Sequence, residues 1–351
     1  MPRLLQALAG APQGGAERHF LRLCLALERA GVEQRVVIRP HPQSLAVLRA
    51  GGIEPETAPF GGLFDWRTAR VLKRAIARFR PELALTYMNR ATAAMPRGDF
   101  LHLARLGGYY DLKYYRRCDH LVCITPDIKA HCVRNGFPDA RVHVIPNFVE
   151  DEAAAAPADR AAHGTPPDAP LIFALGRLHE NKAFDVLLKA IAAVPGAWLW
   201  LAGDGPLREK LERQARDLGI AERMRFLGWQ HDAAPFFAAA DLYVVPSRHE
   251  PLGSVVLEGW MHRLPMVAAA SQGPSWLVKD GETGLLVPVD DADALAAAMR
   301  RLIDDPQTAE RLAQNGRAAY EQGFTEAVAV RRYLDLFAHL LAERPAPRAT
   351  P

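Results

Sequence analysis

Residues 241–261 read DLYVVPSRHEPLGSVVLEGWM, and this stretch decides the class of fold. The apolar run at 241–245 predicts a buried strand, and the run at 254–261 predicts a helix. A strand that leads through a short loop into a helix is the repeating unit of α/β proteins. The stretch therefore predicts an α/β domain with a loop that collects ligands between strand and helix.

The loop in this stretch has the composition of an anion and sugar site. Unpaired N–H groups and the positive end of the macrodipole at a helix start attract phosphate oxygens, and Gly253 lets the backbone come close. Glu250 and Glu258, which flank the turn, can each accept paired hydrogen bonds from sugar hydroxyls. A charged helix start with a surface glutamate has the same pattern, so both interpretations stay open.

Length and composition indicate a globular protein of two domains. The chain has 351 residues, of which 49% are apolar and 24% charged, and this excludes disordered and fibrous classes. The sequence contains no run of about 18 apolar residues, and its first residues lack the apolar stretch of a secretory signal. We therefore expect a cytoplasmic protein.

The charge is distributed unevenly along the chain. The net charge is +3, but residues 1–150 contain 22 Lys and Arg against 13 Asp and Glu, and the remainder contains 21 against 27. A basic first half suits an anionic acceptor, a phosphorylated ligand or an acidic membrane surface.

The four cysteines predict reduced thiols. Cys118, Cys123 and Cys132 lie close in sequence to His120 and His131, which makes a metal site one interpretation. Cys123 stands in an apolar run, however, and free cysteine is among the most buried residue types. We expect core thiols and no metal site.

Apolar runs and amphipathic stretches alternate through both halves of the chain, which predicts parallel sheets covered by helices. We expect two doubly wound, Rossmann-like α/β domains that face one another across a cleft, with helices at the C-terminus. The predicted boundaries are 1–150 for the first domain, 151–170 for a linker rich in Ala and Pro, 171–324 for the second domain, 325–343 for a helix that returns toward the first domain, and 344–351 for a disordered tail.

Two further glycine turns follow predicted strands, at Gly14-Gly15 and at Gly205-Pro206. Backbone amides at such turns can bind an anion. Neither turn matches GxGxxG, and the second strand ends at Arg39 instead of an acidic residue, so a nicotinamide cofactor is disfavoured. A plain turn followed by a helix start explains either motif as well.

Arg177 and Lys182 follow the first strand of the second half, five positions apart. The planar fork of Arg and the point charge of Lys can together hold diphosphate oxygens as they gain charge. A solvated loop is the alternative.

In chain order, several segments resemble the retaining GT-B glycosyltransferases of the glycogen-synthase-like group, which are family 4-like and use nucleoside-diphosphate sugars. The segments are Gly14 to Arg18, Ile145-Pro146-Asn147, Gly176-Arg177-Leu178 with Lys182, Gly203-Asp204-Gly205-Pro206, Glu250 to Glu258, and Asp280 to Pro288. Residues 87–92 and 104–116 are similar to bacterial lipopolysaccharide-core or related envelope-glycan members.

This resemblance assigns acceptor binding to 1–150 and nucleotide-sugar binding to 171–324. The sequence departs from the family at Pro251, where the family usually has Gly. By this resemblance, Arg177 and Lys182 neutralise the donor diphosphate, Glu250 contacts the transferred sugar and Glu258 binds the ribose. The backbone N–H groups of Leu252, Gly253 and Ser254 donate hydrogen bonds to the donor. The glycine turns add Gly14, Gly15 and Gly205 as candidate ligand contacts.

The family also places a histidine of the first domain near the reacting sugar. His102 lies in the corresponding region of this sequence and is our candidate. Arg105 or Asn89 could line the same wall, and a histidine between apolar Leu101 and Leu103 is equally typical of a core.

We expect an enzyme that transfers a sugar from a nucleoside-diphosphate sugar to a hydroxyl of an envelope glycan or glycolipid of the lipopolysaccharide type, with retention of configuration. The resemblance implies no metal, no bound cofactor and no nucleic acid partner, and it suits peripheral contact with the inner membrane surface. Two alternatives stay open: a nucleotide-sugar epimerase on the same fold, and a non-catalytic protein that binds a sugar or nucleotide.

Overall fold

The computed structural model describes residues 2–11, 14–61, 65–151 and 155–343. The chain forms two compact units. The first contains the described residues up to Asn147 together with those from Glu326 onward, and the second spans Phe148–Thr325. The predicted tail at 344–351 lies outside the described residues.

The first unit alternates strands and helices. Its elements before the chain leaves it are β1 Leu4–Leu8, α1 Gly15–Arg29, β2 Gln34–Ile38, α2 Pro42–Ala50, β3 Glu56–Thr57, α3 Trp66–Phe79, β4 Leu83–Tyr87, α4 Met88–Ala94, β5 Leu101–Leu106, β6 His120–Cys123, α5 Pro126–Arg134 and β7 Val142–Val144.

The seven strands of this unit form one sheet in the order β3-β2-β1-β4-β5-β6-β7. Every pairing is parallel. The order reverses at β1, which pairs with β2 on one side and β4 on the other. In such sheets, ligands bind beyond the carboxyl ends of the strands at this reversal.

The second unit repeats the architecture. Its elements are β8 Leu171–Leu175, α6 Phe184–Ala192, β9 Trp198–Ala202, α7 Arg208–Asp217, β10 Met224–Gly228, α8 Ala234–Ala239, β11 Leu242–Val245, α9 Ser254–Met261, β12 Met266–Ala269, α10 Gln272–Leu277, β13 Leu285–Val287, α11 Ala292–Asp304 and α12 Pro306–Gly323; helix α13, Glu326–Ala342, follows and belongs to the first unit.

The second sheet has the strand order β10-β9-β8-β11-β12-β13, again with parallel pairings only. Apart from the edge strand β10, its strands are buried almost throughout, which is typical of a parallel sheet between two helix layers. Two large apolar clusters form the core of this unit. The predicted fold class, a doubly wound α/β sheet, is confirmed for each unit.

The segment that we predicted as a linker packs on the second unit where the structure describes it. The N–H of Ala158 donates to Pro235 O at 2.8 Å, and the Arg160 guanidinium donates to Ala239 O at 2.7 Å and to Asp241 at 2.8 Å. Helix α13 begins with Glu326, which pairs with Arg29 of α1. The roles assigned to the domains stay a prediction.

None of the helices in the described ranges combines the length and the apolar character needed to cross a membrane.

His102 is a core residue of the first unit. Its side chain on β5 is 6% exposed, and its Nε2 lies 2.9 Å from Thr86 Oγ1. Its backbone N–H donates to Asp119 at 2.7 Å, and Cys118 Sγ lies 3.9 Å from its Nδ1. Burial lowers the pKa of His102 from 6.5 to about 4, although the Asp119 charge opposes the shift.

Replacing His102 should make the free energy of unfolding less dependent on pH in the acid range. The unfolded chain binds a proton at His102 near pH 6.5, whereas the folded protein does so only near pH 4. The wild type therefore keeps this contribution above pH 6.5 and loses up to about 3 kcal/mol as pH falls through 4. The free energy of unfolding of His102→Gln should fall less over the same pH range. Urea titrations at a series of pH values measure the difference.

The matched control is His231→Gln, which removes an exposed histidine of the second unit, so the pH dependence of its free energy of unfolding should follow the wild type. If His102→Gln fell as steeply as the wild type, burial would not hold this imidazole neutral.

Candidate active site

The predicted donor residues lie on two loops that the second sheet places side by side. One loop, 176–183, follows β8, and the other, 246–253, follows β11. These strands pair directly, with Leu242 opposite Ile172 and Tyr243 opposite Phe173. Since the strand order reverses here, the two loops border the crevice in which α/β sheets bind ligands.

Lys182 and Glu250 form an ion pair that joins the two loops. Their side chains are 20% and 15% exposed, so water screens the pair only partly. Both residues were predicted to contact the donor, one at the diphosphate and one at the sugar. The structure brings them into direct contact, and each neutralises the other.

Arg177 is placed differently. It is exposed, and it makes no hydrogen bond or ion pair with any residue in the described part of the chain. Its guanidinium therefore keeps a charge that no carboxylate compensates. Of the two predicted diphosphate ligands, Arg177 is the one available to an anion without breaking an existing contact.

Helix α9 begins as the sequence predicts. Gly253 has φ 87° and ψ 49°, a left-handed conformation that favours glycine, and its carbonyl accepts the N–H of Val256 at 2.8 Å. Leu252 is buried, so its side chain is not available to a ligand, and the predicted donation by its backbone stays a prediction. Ser254 is the first helical residue. An anion at this helix start would meet the positive end of the macrodipole.

The charges of Glu258 and Glu250 both influence one buried phenol. Tyr243 on β11 is fully buried, and its hydroxyl finds no hydrogen-bond partner among the described residues. Burial raises the pKa of Tyr243, and the charges of Glu258 and Glu250 raise it further. The two carboxylates predicted to bind sugar and ribose therefore both act on the pKa of this phenol.

Gly205 lies at a close approach between loops. A Cβ at this position would stand 2.5 Å from the carbonyl oxygen of Leu178, which accepts the N–H of Leu207 at 3.1 Å. The N–H of Gly205 itself donates to Asp204 at 2.8 Å. The structure thus explains Gly205 by packing, and its contact with a ligand stays a prediction.

Arg248 is a site residue that the sequence analysis missed. Its guanidinium donates to both carboxylate oxygens of Asp185, at 2.8 and 2.7 Å, and to Glu180 O at 2.9 Å, and it also pairs with Asp290. These bonds raise the pKa of Arg248. Burial would raise the pKa of Asp185, but Arg248 outweighs it, so that pKa is lowered. The signal available in the sequence was an arginine two residues before Glu250.

Helix α10 supports the same loop from another side. The N–H of Gly273 donates to Glu250 O at 2.7 Å, and a Cβ on Gly273 would stand 2.2 Å from the Leu252 carbonyl. The N–H of His249 donates to Asn181 O at 3.2 Å. The loop that contains Pro251 is therefore held on both sides by backbone contacts.

In the first unit, the glycine turn surrounds a buried carboxylate. Glu17 is 7% exposed and accepts the N–H of Ala11 at 2.8 Å, and a Cβ on Gly14 would stand 2.2 Å from its Oε2. Gly15 faces open space. Gly14 therefore makes room for Glu17, whose role the sequence analysis missed, while Pro12 and Gln13 of the same motif lie outside the described residues.

The three candidates for the wall of the first unit lie in different surroundings. His102 stands near the amino end of β5, away from the carboxyl edge, and its burial indicates a structural role. Arg105, near the carboxyl end, is 3% exposed and donates to Asn147, and its Nε finds no acceptor in the described chain. Asn89 accepts the hydroxyl of Tyr115 at 2.7 Å.

The cysteines are free and buried, which confirms the prediction of core thiols. Within the described ranges, no group of three or more His, Cys, Asp and Glu side chains is arranged to hold a metal ion.

Family models match both units. Residues 156–319 match the model of glycosyl transferases group 1, and residues 13–153 match that of glycosyltransferase family 4. The family 4 match covers most of the first unit, and the group 1 match covers the loops 176–183 and 246–253 of the second.

Two similar proteins are from Rhizobium meliloti (strain 1021). Lipopolysaccharide core biosynthesis glycosyltransferase LpsE is 39% identical over 330 residues, which is 93% of this chain and 96% of that protein. Lipopolysaccharide core biosynthesis glycosyltransferase LpsD is 39% identical over 339 residues, 95% of this chain and 97% of that protein.

A solved structure with the same fold is that of Anabaena Alr3699/HepE in complex with UDP and glucose. It has a TM-score of 0.82 and 21% sequence identity, and the likeness covers 97% of this chain and 100% of that one. The strand orders, the donor loops and these likenesses agree, and the chain belongs to the group 1, family 4 glycosyltransferases of GT-B fold and is a glycosyltransferase.

Proposed function

We propose that this glycosyltransferase moves a sugar from a nucleoside-diphosphate sugar to a hydroxyl of a lipopolysaccharide-core type acceptor, with retention of configuration. The observation that carries the donor half is the meeting of the β8 and β11 loops at the reversal of strand order. The two loops contain the exposed Arg177 and the ion-paired Lys182 and Glu250, and helix α9, which begins where the second loop ends, contains Glu258.

The charged side chains on the loops after β8 and β11 and on helix α9 suit the diphosphate and the hydroxyl groups of the donor. Arg177 and Lys182 contribute positive charge beside the start of α9, where a diphosphate accepts hydrogen bonds from cations and backbone amides. Glu250 and Glu258 offer carboxylate oxygens to the hydroxyls of the sugar and the ribose. Lys182 then shares its charge between Glu250 and the diphosphate.

The transfer step needs stabilisation of the leaving group above all. As the bond from the anomeric carbon to the diphosphate breaks, negative charge grows on the phosphate oxygens, and Arg177, Lys182 and the helix start stabilise it. The acceptor oxygen bonds to the anomeric carbon on the face that the diphosphate leaves, and its proton passes to the departing phosphate. We leave His102 out of this chemistry because of its position and burial.

The acceptor half rests on the relatives. LpsE and LpsD carry lipopolysaccharide core biosynthesis in their names, and each is similar to almost the whole of this chain. HepE, bound to UDP and glucose, supports a uridine donor as the first to try. Because such acceptors are anchored in a membrane, we place the enzyme peripherally at the cytoplasmic face.

The first test is a reaction with a lipopolysaccharide-core acceptor and UDP-sugars. We expect product only when the acceptor is present, with the anomeric configuration of the donor, and at a rate that survives chelation because side-chain cations stabilise the leaving group. Mass spectrometry and proton NMR of the product measure all three. Consumption of donor alone would indicate an epimerase, and binding without turnover would indicate a non-catalytic protein.

Glu258→Ala should weaken donor binding about 10- to 100-fold, since a hydrogen bond to a charged group is worth about 1.5–3 kcal/mol. Thermal shift against a series of UDP and UDP-glucose concentrations measures the change, because a ligand stabilises the folded state according to its occupancy. Glu310→Ala, an exposed glutamate of the same unit, is the control. Equal shifts for both variants would remove Glu258 from the donor site.

Arg177→Ala and Lys182→Ala should separate catalysis from stability. Both should lower kcat/KM about 100-fold or more, the loss that follows removal of one group that stabilises developing charge. Arg177 has no partner to lose, so its variant should unfold like the wild type. Lys182→Ala leaves the partly buried Glu250 unpaired and should lose about 1–3 kcal/mol of unfolding free energy.

Arg216→Ala, at an exposed position on α7, is the matched control for both measurements. Unchanged turnover in Arg177→Ala would contradict the proposed leaving-group role, whatever the result at Lys182.

A further inference from the structure

Helix α3 of the first unit presents a face made of cations. Six side chains on the helix and its C-cap are exposed, and we call them the α3 basic face: Arg67, Arg70, Lys73, Arg74, Arg78 and Arg80. The helix itself contains no Asp or Glu.

The opposite face fixes how the helix lies. Thr68, Leu72 and Ala75 are buried, and Leu72 and Ala75 belong to an apolar cluster of the first unit. Asp65 caps the helix by accepting the N–H of Thr68 at 3.0 Å. Because the apolar side is held in the core, the α3 basic face stays on the outside.

No carboxylate of the described residues forms an ion pair with this face. Asp65, at the helix start, is engaged by Thr68 and Gly61, and Glu82, beyond the helix end, lies 3.9 Å from Arg3. The charges of the α3 basic face are therefore left without intramolecular compensation.

Folding does not account for this arrangement. Arg70 and Arg74, and likewise Arg74 and Arg78, are four positions apart, and like charges at this spacing destabilise a helix. Arg67 stands in the first turn, where the positive end of the macrodipole disfavours a cation. Only Arg78, in the last turn, and Arg80, at the C-cap, are favourably placed. A negatively charged partner would be attracted to these arginine and lysine side chains and would offset the repulsion between them.

Other helices of the chain balance their charges. On α7, Arg208 lies 2.8 Å from Glu212, and Arg213 lies 3.9 Å from Glu209. Among helices of the described chain with more than one Lys or Arg, α3 alone has no acidic residue. The α3 basic face is thus a local feature and not a consequence of overall composition.

An aromatic side chain lies beside the charges. Trp66, the first residue of α3, is 63% exposed, and the Arg67 guanidinium lies 5.6 Å from the centre of its ring. An indole next to Lys and Arg is typical of helices that lie at the boundary between lipid headgroups and water, where the ring is partly buried and the cations contact phosphates.

We propose that the α3 basic face docks the enzyme on a membrane surface rich in anionic phospholipid. This inference deepens the proposed function, since it supplies the contact by which the chain would reach a membrane-anchored acceptor. The recognising chemistry is attraction between six arginine and lysine side chains and lipid phosphates, with Trp66 at the headgroup level.

The test compares two triple variants with the same change of net charge: R70Q/K73Q/R74Q on α3 and K210Q/R213Q/R216Q on α7. Co-sedimentation uses phosphatidylethanolamine vesicles with and without one quarter phosphatidylglycerol. We expect the wild type and the α7 variant to bind the anionic vesicles only. The α3 variant should lose about 100-fold in the partition coefficient, from about fivefold per charge, and 0.5 M salt should release the wild type.

A charge-preserving variant guards against a folding defect. R70K/R74K should bind anionic vesicles like the wild type, and no variant should unfold at a clearly lower temperature than the wild type, since the α3 changes remove like-charge repulsion. Equal loss in the α3 and α7 variants would overturn the proposal, as would equal binding to both kinds of vesicle or a preference for duplex nucleic acid over lipid.

Turnover with a water-soluble core oligosaccharide separates the two proposals. It should be the same in the wild type and both triple variants, because the α3 basic face is remote in sequence from the donor loops. If the α3 variant loses vesicle binding and retains turnover, the result supports membrane docking by the α3 basic face. If the wild type and both triple variants show no turnover while the wild type still binds anionic vesicles, the result contradicts the proposed reaction alone.

Discussion

The parallel pairing of β8 with β11 is the constraint on which the candidate site depends. These strands are separated by about seventy positions in the chain, yet Leu242 and Ile172 are direct neighbours in the sheet. The chain winds from β8 to β9 and β10 in one direction and returns to β11 in the other. The loops after both strands consequently emerge at one edge with no helix between them, and a ligand can reach both.

Ion pairs then hold these loops together. Lys182 pairs with Glu250 of the second loop, and Arg248 donates to Glu180 O of the first loop and pairs with Asp185 in the first turn of α6. The backbone of Gly273 adds a third attachment at Glu250. Such an arrangement fixes the two loops relative to each other, which limits the entropy that ligand binding must overcome. Arg177, left without a partner, is the exception and the group most available to phosphate.

Much of the fold could be predicted from periodicity, but some elements could not. The strands β8, β9 and β11 are nearly continuous apolar runs, and their prediction is confirmed. Strand β5 was missed as a strand because His102 and Arg105 interrupt its apolar pattern, although both are buried. Helix α4 was missed because it follows β4 without a loop. Polar side chains in a core are satisfied by partners distant in sequence, and no local pattern records those partners.

The sequence by itself determined the fold class, the order of the glycine turns and the residue types at the donor loops, since these depend on spacing along the chain. Only the tertiary structure decided that Lys182 pairs with Glu250, that Arg248 pairs with Asp185 and that His102 lies in the core beside Thr86. Each of these contacts joins separate loops, strands or helices, and their distances follow from sheet order and packing, which a linear pattern does not contain.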